Sequence, residues 1–246
     1  MQRSNTYIIL YTLALTVFCG VVLSLTAMGL RPLQDANKEQ ERKINIVSTV
    51  VKTEGMEKDN IVKAYDEMIE GFVVDFNGKV VEGMLPGAVN IPKEYKKPLQ
   101  ERVFPVYTSK SKENPDKVEF YIFPLYGFGL WNNISGYVSL KSDLNTINGI
   151  NFGHVSETPG LGARITDDPA ISERYKGKTL FNEKGELQSV VMQKGEGNNY
   201  DDAPHKVDGM SGATLTGKGV NNMLEDYFTA YQNYFKTVTN TQTTQK

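Results

Sequence analysis

The sequence predicts an α+β fold behind an N-terminal transmembrane helix, and three stretches carry that prediction. Tyr7 to Leu30 is 24 residues without a charge. As a helix it extends about 36 Å, more than the ~30 Å of a bilayer core. The middle of the chain, from Phe72 to Phe152, is a series of short apolar or alternating segments separated by turn residues, the pattern of short antiparallel strands. Near the C-terminus, Val220, Met223, Leu224, Tyr227, Phe228, Tyr231, Tyr234 and Phe235 form a wide apolar stripe at helical spacing. Thr216 to Lys236 therefore reads as a helix packed against those strands.

Composition narrows the function. At 246 residues and 39% hydrophobic content the chain can hold one sizeable core with an appendage. A formal net charge of -2 gives no basic surplus, so nucleic acid is not an expected partner. Cys19 is the only cysteine, which excludes an internal disulfide and a thiolate metal cluster. The apolar run exceeds the roughly 7 to 15 residues of a signal-peptide core and reads as a retained anchor. Acylation of Cys19 is disfavoured because bulky Phe18 precedes it.

The elements follow in order. After a short N-terminal segment (1–6) and the transmembrane helix (7–30), residues 31–43 read as a charged stalk continuing the helix. Ile44, Val47 and Val50 begin the apolar spacing of a globular domain expected over 44–236. Lys58 to Glu70 repeats the helical pattern. Phe72 to Phe76 and Lys79 to Val81 flank Asn77-Gly78, a type I′ hairpin signal. Met84 to Pro115 is proline-punctuated and irregular, apart from an edge strand at Arg102 to Tyr107 that tolerates Pro105. Val118 to Leu125, Tyr137 to Leu140, Thr146 to Phe152 and Glu186 to Gln193 read as strands, and Ala170 to Tyr175 as a short helix. Lys194 to Pro204 is polar and exposed, and 237–246 has the composition of a flexible tail.

Chemistry concentrates in Asp208-Gly-Met-Ser-Gly-Ala-Thr214, directly before the last helix. Small residues there let backbone approach a ligand, and Thr214 presents a hydroxyl where free helix N–H groups favour a phosphate. In isolation, capping of the helix by Ser211 or Thr214 explains the same residues. A serine-hydrolase elbow does not fit: Ala213 replaces the final glycine, and His154 and His205 both precede Ser211. His154, Glu157 and His205 make a poor metal set, because Pro159 and Gly160 forbid a helix beneath the first two. No metal is expected. Trp131, the only tryptophan, follows two glycines and suits a planar aromatic ligand as well as a core.

Together, Gly129-Leu-Trp131, Glu157-Thr-Pro-Gly-Leu-Gly162, Asp208 to Thr214 and the single N-terminal membrane helix resemble the C subunit of the sodium-translocating NADH:quinone reductases. The G subunit of the Rnf electron-transport complex is a more distant likeness and the alternative assignment. A membrane-anchored binding module without redox chemistry is the alternative from another class. The resemblance implies an FMN-binding domain, with the FMN phosphate joined as a phosphodiester to Thr214 by a flavin transferase. It further implies Ser211 beside the phosphate, Gly212 and Ala213 giving the transferase access, and Asp208 as part of the signal the transferase reads. Glu157, Thr158, Leu161 and Gly162 would surround the flavin, with Trp131 beside its ring. The implied role is electron transfer from NADH towards quinone in a sodium pump, beside other membrane and flavin subunits in a bacterial inner membrane. Arg3 before the apolar run, against Arg31, Lys38, Arg42 and Lys43 after it, leaves the side of the membrane open. The resemblance implies a cytoplasmic N-terminus and a periplasmic domain.

Overall fold

The computed structural model describes residues 4–110 and 117–244. Part of the expected irregular stretch, of the N-terminal segment and of the tail lies outside the described residues. The chain divides into two compact units, Met1–Arg42 and Lys43–Lys246.

The first unit is the body of helix α1 (Asn5–Ser48), which includes an 18-residue window of mean hydropathy 2.4. It is long and apolar enough to cross a membrane. Its hydroxyls suit that setting: Thr12, Thr16 and Thr26 donate to the carbonyls of Ile8, Thr12 and Val22 at 2.8, 2.9 and 2.8 Å. In hydrocarbon each polar group must find such an internal partner.

The second unit is built on a five-stranded antiparallel meander in sequence order, with strands β1 (Ile69–Asp75), β2 (Val103–Lys110), β3 (Val118–Phe128), β4 (Asn133–Lys141) and β5 (Ile147–His154). Antiparallel neighbours need only short links, so the chain order becomes the sheet order. Helix α6 (Thr214–Thr244) crosses one face. Its Tyr231 ring lies 4.6 Å from Phe123 and 5.3 Å from Phe104, while Phe235 meets Phe123 at 5.3 Å. The buried Tyr231 hydroxyl donates to the Pro105 carbonyl at 2.6 Å, which removes the cost of burying it. On the other face Ile46 and Val47, at the end of α1, pack with Ile61 of α2 (Lys58–Met68) and with Ile69, Tyr107 and Ile122. Alternation along β3 sends Tyr121, Phe123 and Leu125 to the first core and Ile122 to the second. Side chains of the sheet also receive the end of α1: Ser139 and Asn148 donate to the Thr49 carbonyl at 2.6 and 2.9 Å. The remaining elements are helices α3 (Ile91–Tyr95), α4 (Arg164–Asp167) and α5 (Pro169–Glu173), and the parallel pair β6 (Val191–Met192) with β7 (Lys206–Val207).

Five expectations are corrected. β2 is an interior strand, not an edge. Pro105 is tolerated because the β2–β3 ladder starts only at Tyr107 opposite Ile122, so the chain at Pro105 pairs with β1 alone. The turn after β1 is not type I′: among described residues Leu144 is the one non-glycine with positive φ, so Asn77 keeps an ordinary φ and Gly78 alone takes +79°. Beyond it the return is a single bridge, Val74 to Val80. Glu186 to Gln193 contributes only the two residues of β6, and α6 runs on to Thr244 through most of the expected tail. The irregular stretch also holds α3 and two 3-10 turns, Pro86–Ala88 and Leu99–Glu101.

Candidate functional site

β7 delivers the chain into the 208–213 loop, and the loop opens α6. Gly209 is fixed by crowding: a Cβ there would meet the carbonyl oxygens of Gln193 and Gly195. Gly212 has φ +76°, which favours glycine, and its α-carbon faces the Leu161 side chain. The first α6 bond runs from the Gly217 N–H to the Ala213 carbonyl, so the N–H groups of Thr214, Leu215 and Thr216 occupy the open, partly positive end of a 31-residue helix. Farther along α6, Asn221 accepts from the Met192 N–H at 2.7 Å and donates to its carbonyl at 2.9 Å, which ties the helix to the β6 edge.

Glu157 brings the two predicted loops together. Only 4% exposed, its carboxylate accepts from the Trp131 N–H at 2.9 Å and from the Thr216 hydroxyl at 2.7 Å. The N–H groups of Leu130 and Asn132 also point at it. Burial raises its pKa, but the Thr216 hydroxyl and these backbone donors outweigh that and hold it below the ordinary carboxylate value. A Cβ on Gly129 would lie 2.5 Å from one carboxylate oxygen, and one on Gly162 would lie 2.5 Å from the other. The His154 ring accepts the Glu157 N–H at 3.2 Å, and His205 pairs with the Thr179 carbonyl, so the two histidines serve loops. Among the described residues no group of three or more His, Cys, Asp or Glu could hold a metal ion. Glu157 is thus a buried brace between the 129–132 turn, the 157–162 loop and α6.

A second carboxylate organises the other side of the loop. Glu196 accepts from Arg164 at 2.6 and 2.9 Å, from Arg174 at 3.4 Å and from the Ser211 N–H at 3.0 Å. The Arg164 bond, then the Ser211 N–H, bring its pKa down to about 2. Arg174 donates to the carbonyls of Asp208 and Gly209 at 3.2 and 2.6 Å. The Asp208 carboxylate accepts from the Gly197 and Asn198 N–H groups at 2.7 and 3.2 Å. Burial raises the Asp208 pKa, but these donors outweigh it and lower the pKa overall. Sequence reading missed Glu196, Arg164 and Arg174. The one available signal was Gly195-Glu196-Gly197, two glycines at φ +89° and +93° gripping an acid in a tight turn.

Around this frame Trp131, Thr158, Leu161, Ser211, Gly212 and Thr214 are exposed, while Gly162 and Ala213 are buried. Trp131 is 67% exposed, with its indole N–H on the Thr158 hydroxyl at 3.1 Å, and Leu161 is 41% exposed. Leu130, Val155 and Leu215 add further exposed apolar surface. Thr214 lines a cleft of about 130 Å³ with Lys194, Lys218, Met192, Met210, Ala213 and Asn221. Such a cleft is smaller than the roughly 300 Å³ at which drug-sized ligands are enclosed, and two lysines are among its lining residues. Ser211 is exposed and does not line it, while Thr216 is 1% exposed and committed to Glu157. Neither lysine was singled out from the sequence, although Lys218 stands four residues after Thr214 on the same helix face.

Comparison with known proteins points the same way. A family model described as an FMN-binding domain matches residues 129–229, which include every candidate above. The C subunit of the Na(+)-translocating NADH-quinone reductase of Pseudomonas aeruginosa is 31% identical over 91% of this chain and 91% of its own length. Its counterpart from a serogroup A strain of Neisseria meningitidis is 34% identical over 89% and 88%. A crystal structure of the same protein from Parabacteroides distasonis is similar at TM-score 0.71 and 35% identity, covering 84% of this chain and 96% of its own. Shewanella oneidensis NqrC superposes at TM-score 0.72 and 26% identity, over 83% and 99%.

Proposed function

The chain belongs to the family formed by the C subunits of the Na(+)-translocating NADH-quinone reductases, and from that premise we propose that it carries its FMN covalently on Thr214. It is a flavin-binding, electron-transfer subunit of that oxidoreductase complex, with FMN as cofactor and the complex's other subunits as partners. The relatives' names favour this assignment over the Rnf alternative. Helix α1 is the membrane anchor, and in this reading residues from Lys43 onward face the periplasm. Long domains translocate despite flanking positive charge, so the basic residues after the apolar run are compatible with that side.

The observation that carries the attachment site is the contrast among three neighbouring hydroxyls. Thr216 is buried on Glu157, Ser211 stands away from the lysine cleft, and Thr214 alone is both exposed and on the cleft that Lys194 and Lys218 line. Lys194, Lys218 and the open N–H groups of α6 would hold the phosphate. Gly212 and Ala213 leave the hydroxyl accessible to a flavin transferase. Trp131, Thr158 and Leu161 would flank the ring. Glu157 and Gly162 act one layer behind, setting the positions of those side chains without reaching the surface. FMN, when bound, would supply reversible electron uptake and release, with this chain binding and orienting it. Open apolar surface around the site leaves a ring edge accessible to a neighbouring subunit.

The test is co-expression of the full chain with a flavin transferase, followed by denaturing electrophoresis under ultraviolet light. A fluorescent band in the wild type and none in Thr214→Ala is expected. Equal fluorescence in Thr214→Ala would overturn the assignment.

A further inference from the structure

We propose that Glu196 and Arg174 are positioning residues for flavin attachment, and that Asp208 acts through them by shaping the 208–212 backbone rather than by being read directly. The inference rests on Thr214 as the attachment site. Its basis is a closed circuit of contacts behind the loop. The Asp208 side chain is only 14% exposed and is engaged by Gly197 and Asn198, so little of it faces a visiting enzyme. By fixing those two residues it fixes Glu196 just before them, and Glu196 returns to the loop through the Ser211 N–H. Arg174 closes the ring, holding Glu196 with one nitrogen and the carbonyls of Asp208 and Gly209 with the other. Arg164 clamps Glu196 against Asp168 of the α4–α5 turn, which anchors the circuit to the body of the domain. Apart from the Asp208 carboxylate itself, the circuit holds the loop by its backbone, at the Asp208 and Gly209 carbonyls and the Ser211 N–H, and so sets the path of the chain into Thr214.

The reaction that depends on this geometry is a phosphoryl transfer. The Thr214 oxygen bonds to the flavin-side phosphorus of FAD, the bond from that phosphorus to the AMP oxygen breaks, and AMP leaves. The hydroxyl proton passes to a base of the transferase or to water. A nucleophile displaced by about 1 Å loses up to ~100-fold in such a step while substrate binding is untouched.

The experiment measures initial rates of FAD-dependent loading of the full chain by a flavin transferase, varying FAD. Asp208→Ala, Glu196→Ala and Arg174→Ala are each expected to lower kcat about 10- to 100-fold, with the KM for FAD unchanged. Glu196→Gln keeps an acceptor for Ser211, and Arg174→Lys keeps a donor for the carbonyls, so both should recover part of the rate. Because they share one circuit, Asp208→Ala with Glu196→Ala should be no slower than the slower single variant. Tyr231→Phe weakens the core far from the loop by removing the bond to Pro105, and it should load at the wild-type rate. Wild-type loading of Glu196→Ala and Arg174→Ala, multiplicative effects in the double variant, or equal slowing by Tyr231→Phe would each overturn the inference. Loading of a Thr214→Ala control would instead defeat the attachment site on which it rests.

Discussion

Replacing Glu157 by alanine would test whether the site is braced by a buried carboxylate. The change leaves the Trp131 N–H and the Thr216 hydroxyl, bonded at 2.9 and 2.7 Å, without their acceptor, together with the Leu130 and Asn132 N–H groups. A hydrogen bond to a charged, buried acceptor contributes about 1.5 kcal/mol or more, so the two short ones alone give about 3 kcal/mol. In a unit of this size that lowers Tm by about 6 to 12 °C. Glu157→Gln keeps the shape but turns an NH2 group towards donors, and should lose a comparable amount. The pH dependence has a definite sign. Folding lowers the Glu157 pKa, so its contribution is complete above the unfolded value of about 4.3. It fades as pH falls through the lower folded value. The gap between wild type and Glu157→Gln should therefore be constant from pH 7 down to about 5 and narrow below about 4. Guanidinium titration of the full chain in detergent, at several pH values, measures this directly. A gap below about 0.5 kcal/mol at pH 7, or one that widens in acid, would show that Glu157 is not the brace.

Three further outcomes follow from the same geometry. Gly162→Ala would put a methyl 2.5 Å from both the Glu157 carboxylate and the Thr216 hydroxyl, and a loss of about 2 kcal/mol by denaturant titration is expected. Replacing Lys194 and Lys218 together by alanine should slow transferase loading about five-fold at low salt and flatten its salt dependence, since exposed charges act weakly and are screened. Trp131→Ala and Leu161→Ala should leave flavin attachment complete but shift the flavin absorption bands, because both side chains are exposed beside the loop and neither braces it.

Local pattern made the helices and the meander legible, and it failed where distant segments set the outcome. The α6 stripe needs no partner to be read, since 3.6-residue spacing is a property of one segment. Pro105 suggested an edge because the sequence does not state that the β2–β3 ladder opens there and α6 covers the gap. Glu186 to Gln193 has strand composition, yet its hydrogen bonds go mostly to turns and to the Asn221 side chain. At the site, Thr214 was legible from its place before the last helix, Trp131 suited a ligand as well as a core, and Thr158 and Leu161 came only from the family resemblance; the structure leaves all four exposed. Glu157 was expected around the ligand, but four donors from two segments draw it inside. Glu196 and its two arginines were missed because, beyond the glycines that flank Glu196, their meaning lies in contacts 15 to 35 residues away along the chain.

Peptide-level mass spectrometry of the full chain, matured with its flavin transferase, addresses the attachment site without an intermediary. Cleavage after Lys206 and Lys218 releases Val207–Lys218, which contains Ser211, Thr214 and Thr216 in one fragment. An increment of FMN less one water, localised by fragmentation to Thr214, is the result expected. The same increment on Ser211 or on Thr216, or an unmodified peptide from protein that still holds flavin, would rule out Thr214 as the covalent link.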